Sequence, residues 1–202
     1  MGVSRSSVSL WVRDIELTPV QQAALRERDP AYHGHRNGSL ENARRGRVRR
    51  RAFQERGRAL AREGSPSYLA GCMLYWAEGS RRRTRVEFVN SDPNMVRFFV
   101  RFLREAFGVP PEKIALTCNL FADHERRQRE IEQFWLELLD LPSGCLRKST
   151  VNRYSRYSKK KRTNKLPYGT GRITVYSTEI VQAIYGSIQE FAGFDRPEWL
   201  DC

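Results

Sequence analysis

Glu78 is the only charged residue in the stretch 68–80, YLAGCMLYWAEGS, in a chain where 29% of residues are charged. It is followed at once by Gly79, Ser80 and the cations Arg81, Arg82 and Arg83. A carboxylate in that setting has two uses. It binds a divalent metal that activates water, or the adjacent guanidinium groups neutralise it and nothing more happens. A helix C-terminus is mildly unfavourable for an anion, so the metal or those arginines must compensate. A second concentration of chemistry is the run 156–165, RYSKKKRTNK, which places six cations in ten residues with Tyr154, Tyr157 and Tyr168 nearby. Such a run binds phosphates and stacks on bases, or is a solvated loop in the free protein. Metal-ligating residues are sparse. His33 and His35 form an HGH triplet without a second ligand cluster, and His124 stands alone. Cys72, Cys118, Cys145 and Cys202 form no CxxC pair, so no structural zinc is expected.

The whole chain points toward a polyanion. Its 202 residues carry a formal net charge of +13, and nucleic acid is the commonest partner for such an excess. Thirty arginines stand against six lysines. That ratio suits phosphate and guanine contacts by a rigid fork, and follows equally from a GC-rich genome. A membrane surface is the rival, but no long helix sets a large apolar face opposite a basic one. Without a signal peptide or a run of spanning length, the expectation is a cytoplasmic, nucleoid-associated protein with reduced thiols. A hydrophobic content of 40% predicts one well-cored domain beside an extended polar segment.

The elements that must position these groups alternate. A capped helix is predicted over 18–28, a linker over 29–39 and an arginine-rich helix over 40–63, either laid along a phosphate backbone or a charged spacer. Gly64 to Ser67 marks the main domain boundary. Helix 68–79 is apolar or small on every face up to Ala77, which predicts burial all round. Strand 85–89 alternates, with Val86 and Phe88 inward and Arg83, Arg85 and Glu87 on the other face. Helix 92–107, strand 113–121, helix 124–139, strands 145–153 and 171–177, and helix 178–192 complete an α+β domain. On the last strand Arg172, Thr174 and Tyr176 face outward. The divisions are 1–28, 29–66, 67–194 and a tail, 195–202.

Segment 2–13, GVSRSSVSLWVR, resembles the recognition half of a bacterial helix-turn-helix. A glycine makes the turn, Val8, Trp11 and Val12 face a core, and Ser4, Arg5, Ser6, Ser7 and Ser9 enter a major groove. The preceding helices are absent, so either the start codon lies upstream or the module is a remnant. An ordinary capped amphipathic helix is the alternative.

Residues 71–79, GCMLYWAEG, resemble the nine-residue motif of the LAGLIDADG homing endonucleases, with Ala77, Glu78 and Gly79 in its last three places. Met73 stands where that motif usually has glycine, Trp76 and Glu78 where it has aspartates, and one helix is extra. The resemblance implies a mixed sheet forming a saddle that reads the major groove, backed by helices. It also implies pairing of two copies through helix 68–79. The penultimate acid binds Mg²⁺, here Glu78, and a lysine polarises the water network, for which Lys148 is the candidate. YWAEG, FVNSDP and the pair Phe134-Trp135 are similar to a group of actinobacterial proteins in which a helix-turn-helix precedes such a domain.

Three functions follow as expectations. The first is a sequence-specific regulator that binds double-stranded DNA through Ser4, Arg5, Ser6, Ser7, Arg81, Arg82, Arg83, Arg85, Arg147, Arg153, Lys159, Lys160, Lys161, Arg162, Lys165 and Arg172. The second is a homodimeric Mg²⁺-dependent DNA endonuclease, with Glu78 and Lys148 catalytic and Glu78 on the metal. The third is a scaffold that binds nucleic acid by charge alone. No cofactor is expected outside the nuclease reading, and no membrane partner in any.

Overall fold

The computed structural model describes residues 11, 15–28, 30–153 and 166–201, with the backbone alone for 30–36. The chain divides into two compact units, Met1–Gly46 and Arg47–Cys202.

In the first unit, helix α1 (Pro19–Arg28) starts on a reciprocal cap. Thr18 Oγ1 accepts from the Gln21 N–H at 3.3 Å, and the Gln21 side chain accepts from the Thr18 N–H at 3.0 Å. Pro19 takes the first turn, where no amide donor is needed. No residue of α1 is buried. The expected linker 29–39 is instead the start of α2 (Pro30–Glu63). Proline is tolerated at a helix's first position, and Gly34 and Gly38 weaken the helix by about 1 kcal/mol each without ending it. The expected recognition segment falls almost wholly on 1–10 and 12–14, outside the described residues.

The second unit is α+β and takes in α2 from Arg47 onward. It continues with α3 (Pro66–Glu78), β1 (Val86–Asn90), α4 (Pro93–Phe107), β2 (Ala115–Phe121), α5 (Gln128–Leu139), β3 (Thr150–Asn152), β4 (Thr170–Val175) and α6 (Thr178–Ala192). The sheet is mixed, in the order β1-β4-β2-β3. The pairs β1/β4 and β4/β2 are antiparallel, while β2/β3 is parallel. Register sets Val86 opposite Val175, Phe88 opposite Ile173, Ile173 opposite Leu116, and Leu120 opposite Val151. One parity of each strand therefore meets the helices. Val86, Phe88, Ile173, Leu116 and Leu120 join Phe99, Leu103, Ile131, Trp135, Val181 and Ile184 in one core.

Local chemistry sets the helix ends. Asp92 accepts from the Asn94 and Met95 amides at 2.8 and 3.3 Å, Pro93 opens α4, and Gly108 closes it at φ 60°. Ser177 caps α6 in the same way, accepting from the Ile180 N–H at 3.2 Å. Arg104 donates to the carbonyls of Leu139 and Asp140 at the end of α5.

Four expectations are corrected. Helix α3 is not covered all round within one chain: Tyr68, Gly71, Cys72 and Tyr75 are buried, whereas Ala70, Trp76 and Ala77 are exposed. Its composition reads as buried, but only the stripe against α4 and α6 is buried, and Trp76 stays exposed although its ring meets Phe194 at 5.6 Å. Helix 124–139 begins at Gln128, after a 3-10 turn over Ala122–Arg127. Strand 145–153 shrinks to Thr150–Asn152, because a 3-10 turn occupies Ser143–Cys145 and Leu146 makes only an isolated bridge to Leu116. The tail belongs to the core, with Trp199 and Leu200 buried.

The arginine-rich helix differs most from its sequence reading. The chain divides at Gly46, not at Gly64 to Ser67, because residues 47–63 pack on α6. Gly57 and Gly186 make that contact close: a Cβ on Gly57 would lie 1.9 Å from the Ala183 carbonyl oxygen, and one on Gly186 would lie 2.0 Å from that of Gln54. Gln54 Nε2 donates to Gln182 Oε1 at 2.7 Å, and Ser187 Oγ donates to the Gly57 carbonyl at 2.8 Å. Its arginines meet acids around this seam. Arg56 pairs with Glu179, Arg62 with Glu190 at 2.7 Å, Arg58 with Asp195 at 2.5 Å, and Arg50 and Arg47 with Asp201 at 3.2 and 3.3 Å. The Arg62 guanidinium, and then Arg58, hold the Glu190 carboxyl below its ordinary range. These cations serve the fold before any ligand.

Candidate nucleic-acid interface

The strand parity that faces away from the helices forms three rows. Glu87, Thr174 and Ala115 lie side by side, then Val89, Arg172 and Thr117, then Thr170, Asn119 and Thr150. None of these nine residues belongs to the core cluster, but the first row, Glu87, Thr174 and Ala115, is buried, and only the second and third rows reach the surface. They are mostly polar. Asn119 Nδ2 donates to Thr170 Oγ1 at 3.3 Å, and Thr150 Oγ1 donates to Asn119 Oδ1 at 2.9 Å, so the third row is linked side chain to side chain. Tyr176, next in step after β4, is 75% exposed. The outward assignment of Glu87, Arg172 and Thr174 agrees with the register.

Glu87 does more than face outward. Its side chain is only 11% exposed and takes Arg85 at 3.2 Å on one oxygen and the Ser80 hydroxyl at 3.2 Å on the other. Arg85 is therefore committed within the chain. The signal was legible, since an arginine and a glutamate two apart in extended chain share a face, although β1 itself begins one residue later than expected, at Val86.

Glu78 ends α3 and is exposed. The residues after it are held tightly. The Gly79 N–H donates to the Tyr75 carbonyl at 2.7 Å, and the Ser80 N–H donates to the Glu87 carbonyl at 2.8 Å. Tyr75 Oη donates to the Ser80 carbonyl at 2.7 Å. Gly79 is required there, because a Cβ would meet the Tyr75 ring at 2.4 Å. Gly79 bridges Phe88, so Glu78 leaves its helix against the outer edge of β1.

Lys148 stands at the other side of the sheet. One row runs Gly79, Phe88, Ile173, Leu116 and Leu146. Four strand spacings separate its ends by about 19 Å. Lys148, two residues beyond Leu146, is exposed and is not brought to the Glu78 of its own chain.

The other expected cations differ in their ties. Arg81 lies over Trp199 at 6.0 Å. Arg147 donates to the Gly144 carbonyl at 3.1 Å, and Arg153 pairs with Glu125 at 2.6 Å. Among the described residues, the side chains of Arg82, Arg83, Lys148 and Arg172 have no hydrogen-bond or ion-pair partner. Ser4, Arg5, Ser6, Ser7, Lys159, Lys160, Lys161, Arg162 and Lys165 lie outside the described residues. Beyond that basic run, Tyr168 stacks on Phe134 at 3.7 Å, and its carbonyl accepts from Trp135 Nε1 at 2.9 Å.

Among the described residues no group of three or more His, Cys, Asp or Glu side chains is arranged to hold a metal. His124 is buried, its Nδ1 accepting from the Phe121 N–H at 3.3 Å. Burial pushes the Cys72 and Cys118 thiols up to about 12, far from a reactive thiolate. No helix among the described residues is long and apolar enough to cross a membrane.

The architecture is thus an α+β unit whose sheet packs helices on one face and carries polar and cationic side chains on the other. Comparison with protein-family models, curated proteins and solved structures found no match.

Proposed function

We propose that this chain is a double-stranded-DNA-binding protein, a sequence-specific regulator whose second unit is a LAGLIDADG-like saddle. The observation that carries the reading is the outer sheet face. Arg172, Thr117, Thr170, Asn119 and Thr150 stand there in register and are not buried, as readout of base edges requires, and the side chains of Arg82, Arg83 and Lys148, without partners among the described residues, sit at its margins, as phosphate contacts require. The net charge of +13 supplies the long-range attraction. The expected homodimer is supported by α3, where Ala70, Trp76 and Ala77 remain exposed on an otherwise apolar helix.

The endonuclease is the second reading, favoured by the exposed Glu78 carboxylate and the clamped turn behind it. On this reading Mg²⁺ would be held by Glu78 together with ligands from a second chain, because among the described residues no metal-sized group of acids, His or Cys includes Glu78. The metal would supply an activated water there. Lys148 of the same chain is too distant for the role the resemblance assigns it.

Selection from a randomised duplex library, paired with supercoiled plasmid in Mg²⁺ or Mn²⁺, tests both readings. Enrichment of a motif without nicking supports the regulator. Nicking by the wild type that Glu78→Gln abolishes supports the nuclease. Binding that shows no motif and vanishes with salt leaves only a charge-driven scaffold.

A further inference from the structure

We infer that Arg172 is the base-reading residue of the outer face and that it reads a guanine; this rests on the DNA-binding reading above. Its position is central: β4 is an inner strand, and Arg172 lies between Val89 on β1 and Thr117 on β2. Those short neighbours confine its stem. The side chain is half-buried, and its Nε is sealed from solvent with no hydrogen-bond partner. The terminal nitrogens also lack a protein partner among the described residues, and they are not sealed, so they are the donors a ligand can reach.

The contrast with the other arginines makes the assignment. Arg85, just before the adjacent strand, is neutralised by Glu87. Arg82 and Arg83 are exposed at the margin, where long mobile side chains meet phosphates without regard to sequence. Arg172 alone among these combines a free guanidinium, a confined stem and a place in the middle of the face. A planar fork held that way matches the paired O6 and N7 acceptors that guanine presents in the major groove.

The test uses the full chain. A randomised duplex library is selected with wild type, Arg172→Ala and Arg82→Ala. The wild type should enrich a motif with a guanine that Arg172→Ala, left without a donor, no longer requires, with roughly ten- to a hundredfold weaker binding to the wild-type motif. Arg82→Ala should weaken all duplexes alike and keep the motif. Replacing the enriched guanine by 7-deazaguanine removes the N7 acceptor. It should weaken wild type but not Arg172→Ala, and the wild-type half of this comparison stands even if the variant does not fold. If Arg172→Ala enriches the same guanine, or 7-deazaguanine binds wild type equally well, the assignment to Arg172 falls while DNA reading stands. If the wild type enriches no motif, the reading and the inference fall together.

Discussion

Gly186→Ala tests the close seam between α2 and α6, the feature furthest from its sequence reading. The added Cβ lies 2.0 Å from the Gln54 carbonyl oxygen and 2.6 Å from its carbon, both backbone atoms that no rotamer change can move. The helices must separate, which stretches the Gln54–Gln182 bond of 2.7 Å and the Ser187–Gly57 bond of 2.8 Å. Overpacking costs about 1–3 kcal/mol. Each buried polar group left unpaired adds about 1–3 kcal/mol. Alanine returns about 1 kcal/mol of helix propensity. The net expectation is a loss of about 2–4 kcal/mol, or about 4–16 °C in Tm for a unit of this size. Urea and thermal melts followed by circular dichroism at the helical band measure both. Gly57→Ala should behave alike, its Cβ meeting the Ala183 oxygen at 1.9 Å, whereas Gly38→Ala has nothing within 4 Å and should be neutral or slightly stabilising. Should Gly186→Ala instead raise stability, as propensity alone dictates, residues 47–63 would not pack on α6 and would be the charged spacer their composition suggests.

Glu87→Gln should lower stability by about 1–3 kcal/mol, because it removes the counter-charge of a part-buried Arg85. The freed guanidinium should also steepen the salt dependence of DNA binding by about one unit in log–log slope, read by fluorescence anisotropy. Unchanged melts and slope would mean that Arg85 is not tied to Glu87. Cys72 and Cys118 should resist Ellman's reagent in the native state at pH 8 and react fully in denaturant. Their folded values near 12 lie above the ordinary 9, so their stabilising contribution is complete below pH 9 and is lost as pH climbs towards 12. A native protein whose melting point holds across that window would contradict their burial.

Much of this molecule is legible in residue order alone. Asp92-Pro93 and Gly108 mark the ends of α4 because a side-chain acceptor, a fixed φ and a left-handed glycine are local devices. Val86 and Phe88 against Glu87, and Ile173 and Val175 against Arg172 and Thr174, reveal two faces because a strand alternates strictly. The α+β class, the mixed sheet and the tip position of Glu78 follow from the same local rules. The short third strand is less legible: Ser143–Cys145 turns for reasons of packing, not of alternation.

Residue order by itself determined where most of the helices and strands lie, which strand face is polar, and that one carboxylate ends an apolar helix. These depend on neighbours a few positions away, and backbone geometry converts that spacing into a face. Only the tertiary structure decided which cations are free. Arg56, Arg58 and Arg62 look like a phosphate track in sequence but meet Glu179, Asp195 and Glu190, more than a hundred residues on. Arg85 and Arg172 look alike in sequence, yet one is paired with Glu87 and the other is not. The endonuclease resemblance pairs Lys148 with Glu78, yet within one chain they lie across the width of the sheet. Charge is a property of composition, but its availability depends on what folding brings within 4 Å, and that separation cannot be read along the chain.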